Sequence, residues 1–293
     1  MRFLLLLSVL AASCATAPEG PPQYDGPEVV LNEGVWDFRD GVSKLGEPEF
    51  LQALSEYDFI VLGESHDSVE DHAMQARVYS GLIELGARPA LGMEMFQRPF
   101  QPVLVAYVAG ELDEAQMLAE TEYEARWGFD PGFYSPLWQA AQVAGLPVVA
   151  LNVRRELTKR VSAVGVDGLS ETERADLPEL VFGPDAYRNW LGQVFAAHGM
   201  STTDARFERF FQAQVLWDET MADSAVRAWS EQQPVVIIVG RGHVERGWGI
   251  PSRIKRRLPN ARVATVVTAP AGTAASEVFG LADFIVSTRA PSS

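Results

Sequence analysis

The chain of 293 residues is poor in the side chains that most often hold metals, with one cysteine, Cys14, and four histidines. A single cysteine closes no internal disulfide and excludes metal sites built from several thiolates. Positive charge is scarce as well: 24 Lys and Arg stand against 39 Asp and Glu, a formal net charge of −15. That balance argues against nucleic acid or an anionic lipid surface as the main partner. The one basic cluster, RIKRR at 253–257, reads as the solvated face of a helix. No nucleotide fingerprint is present, because GRG at 240–242 lacks the rest of a dinucleotide loop and no phosphate-cradling lysine motif exists. Long apolar runs are missing too. The run behind Arg2 has about 11 apolar or small residues, where a bilayer span needs about 20. What is there, 47% hydrophobic residues with 10% aromatic and 22% charged, is the composition of a chain that folds. Its length suits one large domain or two small ones.

MRFLLLLSVLAASC at 1–14 places one arginine, an apolar run and small residues ahead of the cysteine, the layout of an export signal. Ala11-Ala12-Ser13 before Cys14 resembles a bacterial lipobox. That resemblance implies loss of residues 1–13, lipidation of Cys14 and attachment to a membrane through this lipid anchor. Ala15, where an aspartate would retain the protein, implies by resemblance to Gram-negative sorting an exported envelope lipoprotein in the outer membrane, facing the periplasm. Residues 14–33, with prolines 18, 21, 22 and 27, read as a flexible tether. The domain is expected over 34–293, opening with a small hairpin around Asp40-Gly41.

Four runs are nearly continuous in apolar residues: DFIVLGE at 58–64, PALGMEMF at 89–96, LPVVALNV at 146–153 and PVVIIVGRGHV at 234–244. Strands buried on both faces read this way, and the segments between are long enough for helical crossovers. ARVATVVTA at 261–269 and DFIVST at 283–288 add two more. The expected fold is α/β, a mostly parallel central sheet flanked by helices. A helical insertion or subdomain over about 154–232 precedes the fourth main strand, its apolar face supplied by Phe207, Phe210, Phe211, Val215 and Trp217.

In an open α/β sheet the ligand site lies beyond the carboxyl ends of the strands. Here those ends carry Glu64 and His66, Glu94, Asn152 and His243. Two carboxylates and two imidazoles on one rim suit a divalent metal ion held by Glu64, His66, Glu94 and His243, or acid–base work between groups whose pKa values are pushed apart. Asn152 reads equally as the cap of the helix that follows. His72 reads as a packed or solvated helical residue, and His198 as a structural one near a helix end.

GESHDSVEDHAMQ, GMEMF, WGFDPGFYSPLWQAA, LNV, QVLWDETMA and VGRGHV stand in the order found in the ChaN family of haem-binding lipoproteins, within a wider group that includes Tiki proteases and erythromycin esterases. The resemblance runs from about Trp36 to Thr288. It implies a lipid-anchored haem-binding protein of haem or iron uptake, forming a homodimer on haem binding, with tyrosine ligation of iron and no partner among nucleic acids. Carried onto this sequence, the haem site comprises Tyr134, Glu64, His66, His72, Glu94, Arg98, Arg126, Asn152 and His243. Arg98 and Arg126 pair with the propionates, and Tyr134 is the expected phenolate ligand, with Tyr123 and Tyr187 as rivals. Met93, Met95, Phe96, Trp127, Phe129, Phe133 and Trp138 are apolar groups near the motifs that read as core as readily as pocket. ChaN-like sequences often show adjacent histidines in the first helix where this chain has Asp71-His72. The alternative reading is a hydrolase of peptides, esters or amides using Glu64, His66, Glu94 and His243.

Overall fold

A computed structural model describes residues 23–197, 199, 202 and 205–289; Cys14, the signal segment and His198 lie outside them. Eight strands form one sheet: β1 (Gly34–Asp37), β2 (Ser43–Leu45), β3 (Phe59–Glu64), β4 (Ala90–Gln97), β5 (Val148–Asn152), β6 (Val235–Gly240), β7 (Val263–Pro270) and β8 (Phe284–Thr288). Their order is β2-β1-β8-β7-β3-β6-β4-β5. The six expected runs all become strands and pair in parallel, while the opening hairpin adds to the β8 edge antiparallel. Every residue of β3, β4 and β6 is buried, because helices cover both faces.

The helices are α1 (Glu47–Leu54), α2 (Val69–Glu84), α3 (Gln101–Val108), α4 (Glu114–Glu120), α5 (Tyr123–Arg126), α6 (Ser135–Ala144), α7 (Arg155–Val164), α8 (Glu171–Ala175), α9 (Asp185–Ala197), α10 (Ala205–Ala228), α11 (Ile250–Arg257) and α12 (Ala275–Val278). Alternation along β3 divides the core. Ile60 and Leu62 pack with Met74 and Val78 of α2 and Leu137 of α6; Phe59 and Val61 pack with Met221 and Ala222 of α10 and Ile250 and Ile254 of α11. The chain leaves β3 toward β4 on one side and returns to β7 and β8 on the other, which makes the β3 and β6 ends the switch point where a ligand crevice opens.

The long insertion is helical, but its main helix is part of the domain. The carboxyl half of α10 lies on the sheet through Met221, Ala222 and Ala225, and its amino half packs Phe207, Phe211 and Val215 against α9. One boundary and one helix face differ from the sequence reading. Leu31 is fully buried, its N–H donates to the Thr273 carbonyl (2.9 Å), and Tyr24 rests on Phe279 (5.3 Å). The folded unit therefore begins before residue 34, because proline-rich spacing hides the apolar residues at 29–31. RIKRR is also no solvated face: Arg253 is 1% exposed, and Arg253, Arg256 and Arg257 converge on Glu219 of α10. Charge counting along one helix cannot show an anion supplied by another. Among the described residues no helix is long and apolar enough to cross a membrane.

Candidate functional site

β3 ends in Gly63-Glu64, and the chain turns across the sheet rim before α2. Glu64 is 1% exposed. Its Oε1 accepts from the Tyr134 hydroxyl (2.8 Å) and from His66 Nδ1 (2.8 Å), and its Oε2 lies 3.2 Å from His72 Nδ1. Burial works against a charge here, yet hydrogen bonds from His66 and His72, the His72 charge and the Tyr134 hydroxyl hold the Glu64 carboxyl down at about 2. His72 faces acceptors at both ring nitrogens: Nδ1 has Gln75 Oε1 at 3.2 Å as well as Glu64, and Nε2 has the His66 carbonyl at 3.2 Å. His66 differs. Its Nδ1 is taken by Glu64, and among the described residues no hydrogen bond engages its Nε2. Trp127 (4.7 Å between ring centres) and Phe129 (5.0 Å) fix the ring.

Glu94 sits where the pairing of β4 with β5 slips between Met93 and Gln97, an irregularity that re-aims side chains at sheet rims. Its Oε2 accepts from the Gly240 N–H (2.7 Å), and its Oε1 lies 3.5 Å from His243 Nε2. His243 Nδ1 donates to Asp218 Oδ1 of α10 (2.7 Å), and Tyr187 donates to the other oxygen of Asp218 (2.6 Å). Burial opposes charge on His243, but Glu94 and Asp218 on either side raise it to about 10. Gly240 joins the two halves: a Cβ there would stand 2.9 Å from His66 Cε1 and 3.7 Å from Glu94 Oε2, so glycine is required for His66 to lie against the β6 end.

These groups floor a cavity of about 1110 Å³ whose walls come from the β3 to β6 ends, α7, α10 and the Trp127 loop. Glu64, His66, Glu94, Asn152, His243 and Arg126 all border it. Asn152 donates to the Glu94 carbonyl (3.0 Å) and stiffens the rim. His72 is drawn in through Glu64. Arg98 is not: its guanidinium turns to α10, donating to Asp223 (2.6 Å), the Thr220 carbonyl (2.8 Å) and Ser224 (2.7 Å), so the expected propionate contact gives way to a tie between β4 and α10. Tyr134 is fully buried and does not border the cavity. Burial first, then the Glu64 charge, raise its phenol far above the ordinary value. Tyr123 and Tyr187 are buried too. Glu64 pairs with His66 and His72, and Glu94 lies beside His243; among the described residues no three His, Cys, Asp or Glu gather as a group that could hold a metal ion. Met95 and Trp127 border the cavity, Phe129 and Phe133 cover His66 and His72, and Met93, Phe96 and Trp138 are core.

The sequence reading did not assign Asp218, Gln214 or Trp217 to the site, Trp217 being read as part of an apolar helix face; all three come to it from α10. The available signal was the Asp218-Glu219 pair set between Leu216 and Met221, acids among apolar positions of one helix.

The two charged clusters set a stability profile. The lowered Glu64 carboxyl, 4.5 to about 2, contributes stability that is complete above pH 4.5 and fades toward pH 2. The raised His243 imidazole, 6.5 to about 10, contributes stability that is complete below pH 6.5 and lost as pH rises through 10. Urea midpoints of the ligand-free protein should therefore fall on both sides of a plateau between those limits, and His243→Gln should flatten the alkaline limb. An alkaline limb unchanged by that substitution would contradict the assignment.

Residues 50–254 match the family described as haem-binding uptake, Tiki superfamily, ChaN. The chain belongs to this family. A solved structure described as cofacial haem binding to ChaN of Campylobacter jejuni resembles this ChaN-family chain with a TM-score of 0.67 and 16% identity, covering 87% of this chain and 96% of that one. At that identity the likeness is one of fold, the mostly parallel α/β sheet. Protein RETICULATA-RELATED 5, chloroplastic, of Arabidopsis thaliana is 25% identical over 261 residues, 78% of this chain and 34% of that protein; the chain thus spans about a third of that relative's length. The erythromycin esterase EreC is a looser likeness, with a TM-score of 0.47 and 12% identity over 76% of this chain and 73% of that one, too distant to bear on chemistry.

Proposed function

We propose that this ChaN-family protein binds haem in the strand-end cavity, with His66 Nε2 as the iron donor, and serves haem or iron uptake. The observation that carries the assignment is the Glu64–His66 pair: Glu64 takes Nδ1, leaving Nε2 free on an imidazole that borders the cavity and is 32% exposed. A carboxylate behind a ligating imidazole fixes its tautomer and raises its basicity. The cavity also fits the group in size and walls, with Met95, Trp127, Val153 and Trp217 as apolar surface. Bound haem would supply the iron, and the protein would supply the His66 nitrogen as a donor and apolar surface from Met95, Trp127, Val153 and Trp217 within an open cavity. Tyr134, the ligand expected from the sequence, serves in this reading as the hydroxyl that holds Glu64. Haemin titrated into the protein should bind saturably with a shifted absorption band, and absence of saturable binding would overturn the proposal. By likeness to the cofacial haem of the Campylobacter protein, two copies are proposed to pair on haem, which sedimentation with and without haemin checks.

A second reading is favoured by one feature, the orientation of both site imidazoles by carboxylates. His66 Nε2 would take a proton from water attacking an ester or amide carbonyl and return it to the alcohol or amine that leaves as its bond to the carbonyl carbon breaks, beside a His243 held cationic. Hydrolysis by haem-free protein, abolished in His66→Ala, supports this reading; no turnover on ester or amide substrates removes it.

Attachment through a lipid on Cys14, and with it the outer-membrane location, is proposed from the sequence. Cys14→Ser should move the protein from the membrane to the soluble fraction, since one acyl-anchored residue is the membrane device the sequence offers. Retention of the variant after high-salt and carbonate washing would refute the anchor.

A further inference from the structure

We infer that the cavity-facing side of α7 is a carboxylate-recognition site formed by Arg155, Thr158 and Lys159, which takes the acidic side chains of the ligand. In the haem reading, on which this rests, those are the two propionates. Arg155 and Lys159 are four residues apart, on one face of the helix, and both border the cavity together with Thr158.

Charge accounting singles out these two cations. Of the other basic side chains on the cavity, Arg126 is paired with Glu122 and Glu156 and Arg241 with Glu245. On α7 itself and just before it, Arg160 is paired with Glu173 and Arg154 with Asp176. The carboxylates that border the cavity, Glu64 and Glu94, face His66, His72 and His243. Arg155 meets only an uncharged partner, the Ala125 carbonyl, and among the described residues Lys159 has no ion-pair partner. In a chain with a net charge of −15, two uncompensated cations one turn apart over a cavity select for an anion.

Thr158 is an independent pointer. It is 7% exposed, and its Oγ1 has no hydrogen-bond partner among the described residues. Buried hydroxyls are seldom left without one, and this one lies between Arg155 and Lys159 on the same wall. A carboxylate there would accept from the guanidinium and the ammonium, with the Thr158 hydroxyl able to turn toward it from the buried side, and the charge-assisted bonds among these are the strong ones. The same arrangement leaves Arg98, committed to Asp223, without a part in ligand binding.

The test compares haemin with haemin dimethyl ester, whose propionates carry no charge, by absorption titration of the full chain and an Arg155→Ala/Lys159→Ala double variant. Both residues are exposed, so circular dichroism should show the fold unchanged. The wild type should prefer the free acid about tenfold or more. The double variant should lose that preference while binding the dimethyl ester as the wild type does, and Thr158→Val should weaken only the free acid, by a few-fold. A double variant that keeps the wild-type preference overturns the α7 site and leaves haem binding standing. Failure of the wild type to bind either form overturns the haem reading and this site with it.

Discussion

Glu219→Ala should cost the fold about 3–5 kcal/mol, the range for removing one partner of a buried ion pair. Glu219 lies in α10 with its side chain fully buried, and four groups converge on it. Arg256 donates to both carboxylate oxygens (2.9 and 2.7 Å), Arg257 to Oε2 (2.7 Å) and the Val181 N–H to Oε1 (3.2 Å). Arg253 Nε is 3.2 Å away. Burial opposes the charge, but these guanidiniums hold the carboxyl below its usual range. Alanine would strand Arg253, itself 1% exposed, with Asp218 at 3.8 Å as its nearest remaining anion. Glu219→Gln keeps hydrogen-bond acceptance and loses only charge, so it should cost less. A urea midpoint for Glu219→Ala within error of the wild type would show that α10 and α11 are held together by their apolar contacts alone.

Haem affinity should fall about 100-fold in His66→Ala and about 10- to 100-fold in Glu64→Gln, the range for loss of an outer-shell partner of a ligating histidine. The two substitutions act on different atoms. His66→Ala removes the donor, whereas Glu64→Gln keeps the imidazole and weakens the acceptor that orients its Nδ1 (2.8 Å). Titration with haemin at fixed pH measures both. Because the His66 imidazole is raised by Glu64 and Glu94 despite its burial, iron must displace a proton more often at low pH, and affinity should increase with pH. Equal affinity in His66→Ala and wild type would place the iron elsewhere.

The sheet was legible because strands covered on both faces need apolar side chains at nearly every position, as in FIVLGE and VVIIVG. The rim residues were legible for a related reason: in a parallel sheet all carboxyl ends share one edge, so Glu64, Glu94, Asn152 and His243 had to come together once the strands were placed. Side-chain direction was not legible. Arg98 follows β4 by one residue, but whether it turns into the cavity or toward α10 depends on Asp223, far away in the chain. Tyr134 was placed at the right loop, and packing of α6 against α2 then carried its ring under Glu64 and out of the cavity. The contribution of α10 was hidden by length, since helical periodicity marks its apolar side but not which of its acids will meet an imidazole. The same holds for RIKRR, whose partner Glu219 is known only from the packed helices.

The absorption spectrum of the ferric haem complex, recorded for the wild type, His66→Ala and Tyr134→Phe, tests haem capture at His66 most directly. A protein lacking residues 1–22 serves, since Tyr24 and Leu31 are retained for their contacts with Phe279 and Thr273. The predicted result is an imidazole-type spectrum in the wild type, kept in Tyr134→Phe and lost in His66→Ala. Phenolate charge-transfer bands in the wild type that vanish in Tyr134→Phe and survive His66→Ala would contradict it.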